Sequence, residues 1–216
     1  IHSNVIVIGL GRFGSSLARE LMKTGHEVLG VDTDERIVQN MSQELTQTVK
    51  ADTTDETTLK ELGITEFDSA VVAIGADLEA SILTTALLLQ LGVPNVWAKA
   101  NSTSHGLILD QLGCHHVIFP EYEMGKRVAH MVSGETLDYV PIDNDFVMVK
   151  SEVPASFDGQ TLADLKIRST YGVTVVAVTT GDGNYTPAFP ETVLNEGNQI
   201  VVAGQVDPLN EFCKLA

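Results

Sequence analysis

The sequence predicts an α/β fold, a Rossmann-like doubly wound parallel sheet followed by a small C-terminal α+β lobe. Three observations carry this expectation. An unbroken apolar run at residues 5–8 leads straight into Gly9-Leu10-Gly11-Arg12-Phe13-Gly14. Strand-like and helix-like segments then alternate as far as residue 119. From residue 135 the pattern changes to strands separated by hairpin turn signals.

Each element has its own signal. Residues 5–8 lack the polar alternation of a half-exposed strand, so they predict one buried on both faces. Phe13, Leu17 and Leu21 recur at helical spacing and Gly25 is a stop, which predicts a helix over 12–24. Strands follow at 27–31, 48–51 and 70–74. Between them lie a helix over 34–44 capped by Asp34 and a short one over 55–62 ending at Gly63. The helix over 77–91, closed by Gly92 and Pro94, is apolar nearly all round, through Ile82, Leu83, Ala86, Leu87, Leu88, Leu89 and Leu91. Such a helix lies either in a large core or in a subunit interface. A fifth strand (96–99), a helix (104–112) and a sixth strand (116–118) complete the alternation.

Residues 120–134 form a further helix, with Met124, Val128, Met131 and Val132 on one face. That face serves core packing or marks a connector. Beyond it, strands are expected at 137–142, 146–153, 173–178 and 199–203, with short helices at 161–166 and 207–215. Asp143-Asn144 and Gly181-Asp182-Gly183-Asn184 are hairpin turn signals. The expected organisation is a nucleotide-binding lobe at 1–119, a connector at 120–134 and a C-terminal lobe at 135–216.

Composition narrows the function. The chain has 216 residues with 13 Lys+Arg against 29 Asp+Glu, a net charge of −16. That field repels a polyanion, so general nucleic-acid binding is disfavoured, as is direct contact with an anionic membrane surface. Cys114 and Cys213 form no CxxC pair, which points to neither a disulfide framework nor a zinc site and suits a reducing cytoplasm. No apolar stretch approaches the ~20 residues that span a bilayer. The apolar start runs into a glycine motif and not into a leader-peptide cleavage site.

The glycine motif follows a strand and opens a helix, the setting in which it binds a nucleotide. Gly9 permits the tight turn, Gly11 leaves room for a pyrophosphate, and Gly14 lets helix and sheet pack closely. The unpaired N–H groups of the helix start then face the phosphates. Asp32, 18 residues after Gly14, is placed to accept hydrogen bonds from both ribose hydroxyls and to repel a 2′-phosphate. Asp52, in Ala51-Asp52-Thr53, either lies by the adenine or forms a turn. Ala73, Ile74 and Gly75 end the fourth strand on the same carboxyl edge. Arg12 is an unusual cation inside a glycine loop: either it pairs with a terminal phosphate or it is a solvated residue at an electrostatically poor helix start. Lys99 is a second cation at that edge, with an ordinary strand-end lysine as the alternative.

No catalytic apparatus accompanies this site. All six histidines precede residue 131, and no HExxH, GxSxG or second phosphate loop occurs. His115-His116 reads as strand-edge structure, and Cys114 has no activating base. Glu121 and Glu123 open the connector helix, where carboxylates favour the dipole. The residues therefore describe a nucleotide binder without visible chemistry. A small NAD-dependent oxidoreductase is the alternative, and a nucleotide-sensing repressor is opposed by the charge.

The stretch 5–32, "VIVIGLGRFGSSLARELMKTGHEVLGVD", with "ADTTDE" at 51–56, "AKAN" at 98–101 and "LGCHHVIFPE" at 112–121, resembles the RCK (regulator of potassium conductance) family. The similarity extends over the whole chain. With one copy and no membrane span, it is nearest to the regulatory subunits of bacterial Ktr potassium-uptake systems. The resemblance implies a cytosolic, non-enzymatic subunit, peripheral at the inner face of the cell membrane. It implies homodimers assembled into an octameric ring that docks on a KtrB-like membrane potassium-transporting subunit. ATP would favour an active ring and ADP an inactive one, with NAD or NADH as further ligands. Nucleotide contacts carried over by the motifs fall on Gly9, Gly11, Arg12, Phe13, Gly14, Asp32, Asp52, Thr53, Ala73, Ile74, Gly75, Lys99 and Glu121. Arg12 would reach the terminal phosphate, often across a dimer interface, and Glu121 would join a divalent cation, Mg²⁺ or Ca²⁺. Some relatives bind cyclic di-AMP in the C-terminal lobe, and no motif here assigns it.

Overall fold

Parallel strands need cover on both faces, and the apolar runs of the N-terminal half assemble accordingly. The computed structural model describes residues 2–134 and 136–216. Ile1 and Glu135, the first residues expected for the two lobes, lie outside the described residues. The chain divides into two compact units, Ile1–Glu121 and Tyr122–Ala216.

The first unit runs β1 (Asn4–Ile8), α1 (Arg12–Lys23), β2 (Glu27–Asp32), α2 (Glu35–Met41), β3 (Gln47–Lys50), α3 (Glu56–Glu61), β4 (Ser69–Val72), α4 (Leu78–Gln90), β5 (Asn95–Lys99), α5 (Thr103–Gln111), β6 (His116–Ile118) and into α6 (Pro120–Val132). The strands form one parallel sheet in the order β3-β2-β1-β4-β5-β6. Alternate residues of β1 enter opposite cores. Ile6 and Ile8 pack with Leu59, Leu88 and Leu109, while Val5 and Val7 pack with Ala18, Met41 and Leu45. The strand order reverses between β1 and β4, which opens a crevice at their carboxyl ends.

Several boundaries differ from the sequence expectation. Helix α2 stops at Met41, short of residue 44, where the Ser42 hydroxyl bonds back to the Gln39 carbonyl at 2.7 Å. Strand β4 stops at Val72, so Ala73 and Ile74 lie beyond it, although the Ala73 N–H still donates to the Ile8 carbonyl. A 3₁₀ turn at Ile64–Glu66 was not foreseen. Helix α4 does not bury its leucines uniformly. Its fully buried face is Ser81, Thr84, Thr85 and Leu88, and Leu78 and Leu83 are exposed. Helix α6 buries none of its residues, so its apolar face does not serve as core within the chain.

The second unit continues from α6 through β7 (Asp138–Pro141), β8 (Phe146–Glu152), β9 (Gln160–Thr161), α7 (Leu162–Leu165), α8 (Ile167–Tyr171), β10 (Thr174–Thr179), β11 (Tyr185–Pro187), β12 (Val193–Leu194), β13 (Gln199–Gln205) and α9 (Val206–Cys213). An antiparallel sheet, β11-β10-β13-β8-β7, packs its valines against Leu209 and Phe212 of α9. The β7–β8 and β10–β11 hairpins turn at the two predicted signals. In the second turn Asp182 accepts from the Thr180 hydroxyl and the Asn184 amides, which lowers its pKa to about 2. Strands β9, β11 and β12 were not foreseen, being only two or three residues long. Arg127 of α6 forms a two-pronged ion pair with Asp138, both contacts 2.7 Å, and His130 stacks on Tyr139.

The elbow between β1 and α1 is the tightest point of the first unit. A Cβ on Gly14 would overlap the Gly9 carbonyl oxygen, a backbone atom that cannot move aside. Gly14→Ala is therefore expected to cost about 3 kcal/mol, read as a lower urea midpoint with an unchanged slope.

Candidate functional site

Of the first five helices, four start under a side-chain cap. Asp34, Asp55, Asp77 and Ser102 accept backbone N–H groups at the starts of α2, α3, α4 and α5. Helix α1 starts at Gly11 with no side-chain cap and no acidic residue in its first turn. Its leading N–H groups thus keep their capacity for an external anion. The backbone is shaped for this. Gly9 has φ +91°, where a side chain is strained, and a Cβ there would press on the Ala73 carbonyl at 2.8 Å. A Cβ on Gly11 would meet no protein atom within 4 Å, so the space before it is open.

Asp32 locks the elbow from the next strand. One carboxylate oxygen accepts the Leu10 N–H at 2.8 Å and the other the Asp34 N–H at 2.9 Å. A carboxylate has about four acceptor sites, so lone pairs remain for a sugar diol. Asp34, not Asp32, caps α2, through the Arg36 N–H.

Charge gathers on the other side of the elbow. Lys99 ends β5 with its side chain only 10% exposed, and its Nζ pairs with Glu121 at 2.5 Å. The same Nζ lies 5.8 Å from the centre of the Phe13 ring. Lys99 holds the Glu121 carboxyl below the ordinary carboxylate range by hydrogen bonding, and Arg12 adds a weaker electrostatic pull. Arg12 is exposed, and its guanidinium makes no hydrogen bond or ion pair among the described residues, although its backbone carbonyl accepts the Ser15 hydroxyl at 3.4 Å. Arg12, Phe13, Lys99 and Glu121 therefore form one cluster beside the glycine loop, next to the 73–75 segment.

Asp52 and Thr53 are not drawn into that cluster. Asp52 accepts the backbone and hydroxyl hydrogens of Thr54 at 2.9 and 2.6 Å, the turn-forming alternative, and these bonds lower its pKa. The Thr53 hydroxyl is buried and paired with Thr84 of α4 at 2.9 Å. The structure shows Glu121 as the partner of Lys99 and not as a member of a metal-ligand group. One of its carboxylate oxygens faces Lys99, and no group of three His, Cys, Asp or Glu suited to a metal occurs among the described residues. Sequence reasoning missed Asn101, whose amide donates to the Gly75 carbonyl, and His105, buried between Asn101 and Ser81. Asn101 stood inside the "AKAN" motif, but nothing in the sequence showed its partner.

The second unit carries its own open groove of about 460 Å³, lined in part by Lys166, Arg168, Phe189 and Pro190. Lys166 lies there in the left-handed region at φ 48°.

Comparison with known proteins adds to this geometry. Residues 5–120 match the TrkA-N domain and residues 147–216 the TrkA-C domain. The chain is 38% identical over 208 residues to Ktr system potassium uptake protein A of Bacillus subtilis (strain 168), covering 95% of this chain and 93% of the relative. It is 37% identical over 204 residues to Ktr system potassium uptake protein A of Vibrio alginolyticus, covering 94% and 93%. Among solved structures, the GsuK channel bound to NAD shares the fold with a TM-score of 0.67 at 19% identity; 97% of this chain is covered, and it spans 38% of that one.

The lowered pKa of Glu121 sets a pH dependence. The Lys99–Glu121 pair stabilises the fold above the ordinary carboxylate pKa, and this is lost as pH falls through the depressed value. Because Glu121 is largely exposed, Glu121→Gln should cost under about 1 kcal/mol at neutral pH. In urea unfolding, its difference from the native chain should shrink toward zero in acid.

Proposed function

The chain belongs to the family whose members join a TrkA-N domain to a TrkA-C domain, and we propose that it is a cytosolic, non-enzymatic regulatory subunit of a potassium-uptake system. The observation that carries this reading is the identity of 37–38% to Ktr potassium uptake proteins over nearly the whole chain. Its site is the β1–α1 elbow, with Gly9, Gly11 and Gly14 around the phosphates and Asp32 on the ribose. Ala73, Ile74 and Gly75 wall the cleft, and Phe13, Lys99 and Glu121 lie at its charged side. The ligand is an adenine nucleotide, ATP or ADP, with NAD or NADH as the dinucleotide form; the NAD-bound channel of the same fold supports the latter. Asp52 and Thr53 contribute through their backbone, since their side chains are engaged elsewhere.

The nucleotide acts by differential affinity between two quaternary states. The nucleotide lobe (1–119), connector (120–134) and C-terminal lobe (135–216) form homodimers that build an octameric ring on a KtrB-like membrane subunit. No helix among the described residues is long and apolar enough to cross a membrane, and in this reading attachment runs through that partner. The exposed apolar stripe of α6, with Met124, Val128 and Val132, suits the assembly. ATP exceeds ADP by one charged phosphoryl group, and Arg12 is an uncommitted cation at the helix start. A contact made in only one ring shape is worth roughly 1.5–3 kcal/mol per site, and symmetric repetition multiplies it into a switch.

Arg12→Ala should keep ADP binding and lose the preference for ATP, by about tenfold or more in calorimetry. Equal losses for both nucleotides would remove Arg12 as the discriminator. A purified chain that stays monomeric, ignores adenine nucleotides or turns over NADH would overturn the regulatory reading.

A further inference from the structure

Three segments around the cleft meet on one buried imidazole. His105, in the first turn of α5, is 1% exposed. Its Nδ1 accepts the Asn101 N–H at 3.2 Å, and its Nε2 faces the Ser81 hydroxyl of α4 at 3.1 Å. Because Nδ1 is the acceptor, the ring is neutral and Nε2 carries the proton, which it donates to Ser81. The side chain of Asn101 in turn donates to the Gly75 carbonyl. Gly75 closes the 73–75 segment, whose Ala73 backbone abuts Gly9. The ring thus connects the β5–α5 turn, helix α4 and, through Asn101, the β4 edge of the cleft.

We propose that Asn101 and His105 are positioning residues for the nucleotide: they hold the 73–75 segment against the cleft, and protonation of the buried imidazole in acid releases it and weakens binding. The inference rests on the nucleotide-binding reading and adds to it a titratable control. A proton on Nδ1 turns the acceptor into a donor that faces the Asn101 N–H. That bond cannot survive, and the turn carrying Asn101 loses its anchor.

The charged and titratable groups on the surrounding elements are committed or exposed. Asp77 caps α4, while Glu79 and Asp110 are exposed. Lys99 pairs with Glu121, His116 stacks on Trp97, His115 accepts the Val96 N–H, and burial keeps the Cys114 thiol protonated. Burial alone lowers the pKa of His105, so the ring is neutral at neutral pH. The native state then takes up its proton later than the unfolded chain, and acid costs both stability and order at this point.

The test is ADP titration by calorimetry between about pH 8 and about pH 5.5, on the native chain, His105→Gln and Asn101→Ala. The ligand's own phosphate titration is common to all three. Because burial holds the ring below the ordinary histidine pKa, the native chain should lose about threefold more affinity at the acid end than His105→Gln does. Asn101→Ala alters an exposed side chain, so the fold should persist and carry the test even if His105→Gln does not fold. It should bind ADP about fivefold more weakly at pH 8 and show a flatter pH profile. Parallel profiles for the native chain and the folded variants would overturn the inference and leave the nucleotide reading standing. Failure of the native chain to bind ADP at pH 8 would overturn both.

Discussion

The close approach of α1 to the end of β1 is the constraint on which the site depends. Gly14 touches the Gly9 carbonyl, Gly9 abuts the Ala73 backbone, and Asp32 ties the Leu10 N–H from the neighbouring strand. Three strands, β1, β2 and β4, thereby converge on one backbone turn. The helix start that results is the one of the first five without a side-chain cap. In each of the other four a side-chain oxygen accepts one leading N–H, and at α1 that place is left to an external anion.

Electrostatics then select what the turn can hold. A chain of net charge −16 repels anions in general. Local cations must overcome that field, and the structure places Lys99 and Arg12 at the same edge. The two differ in state. Lys99 is nearly buried, paired with Glu121 and close to Phe13, so it is a fixed part of the site. Arg12 is exposed and uncommitted. Glu121 opens α6, and Arg127, further along the same helix, pairs with Asp138 of β7.

The polar stripe of α4 shows how a sequence pattern can mislead. Leucines dominate its composition, yet Ser81, Thr84 and Thr85 are its most deeply buried residues beside Leu88. Each hydroxyl is satisfied, by His105, Thr53 and the Ser81 carbonyl respectively. Hydropathy weighs side chains singly and cannot see such partners. Asp52 was open between an adenine contact and a turn, and Thr54, two residues on, supplies the hydrogen bonds of the turn.

Most of the alternation of strands and helices, the glycine elbow, the candidacy of Asp32, Arg12 and Lys99, and the change of architecture after α6 are legible from the residues alone. These follow from local periodicity, backbone freedom and charge, which neighbouring residues encode. Folding was needed to show that Lys99 meets Glu121 and Phe13, that Thr53 turns toward Thr84, and that His105 joins Asn101 to Ser81. Those pairings connect residues far apart in the chain and arise from strand order and helix packing, which no local pattern records. The short strands β9, β11 and β12 belong with them, since two or three residues carry no period and are strands only because a partner lies beside them.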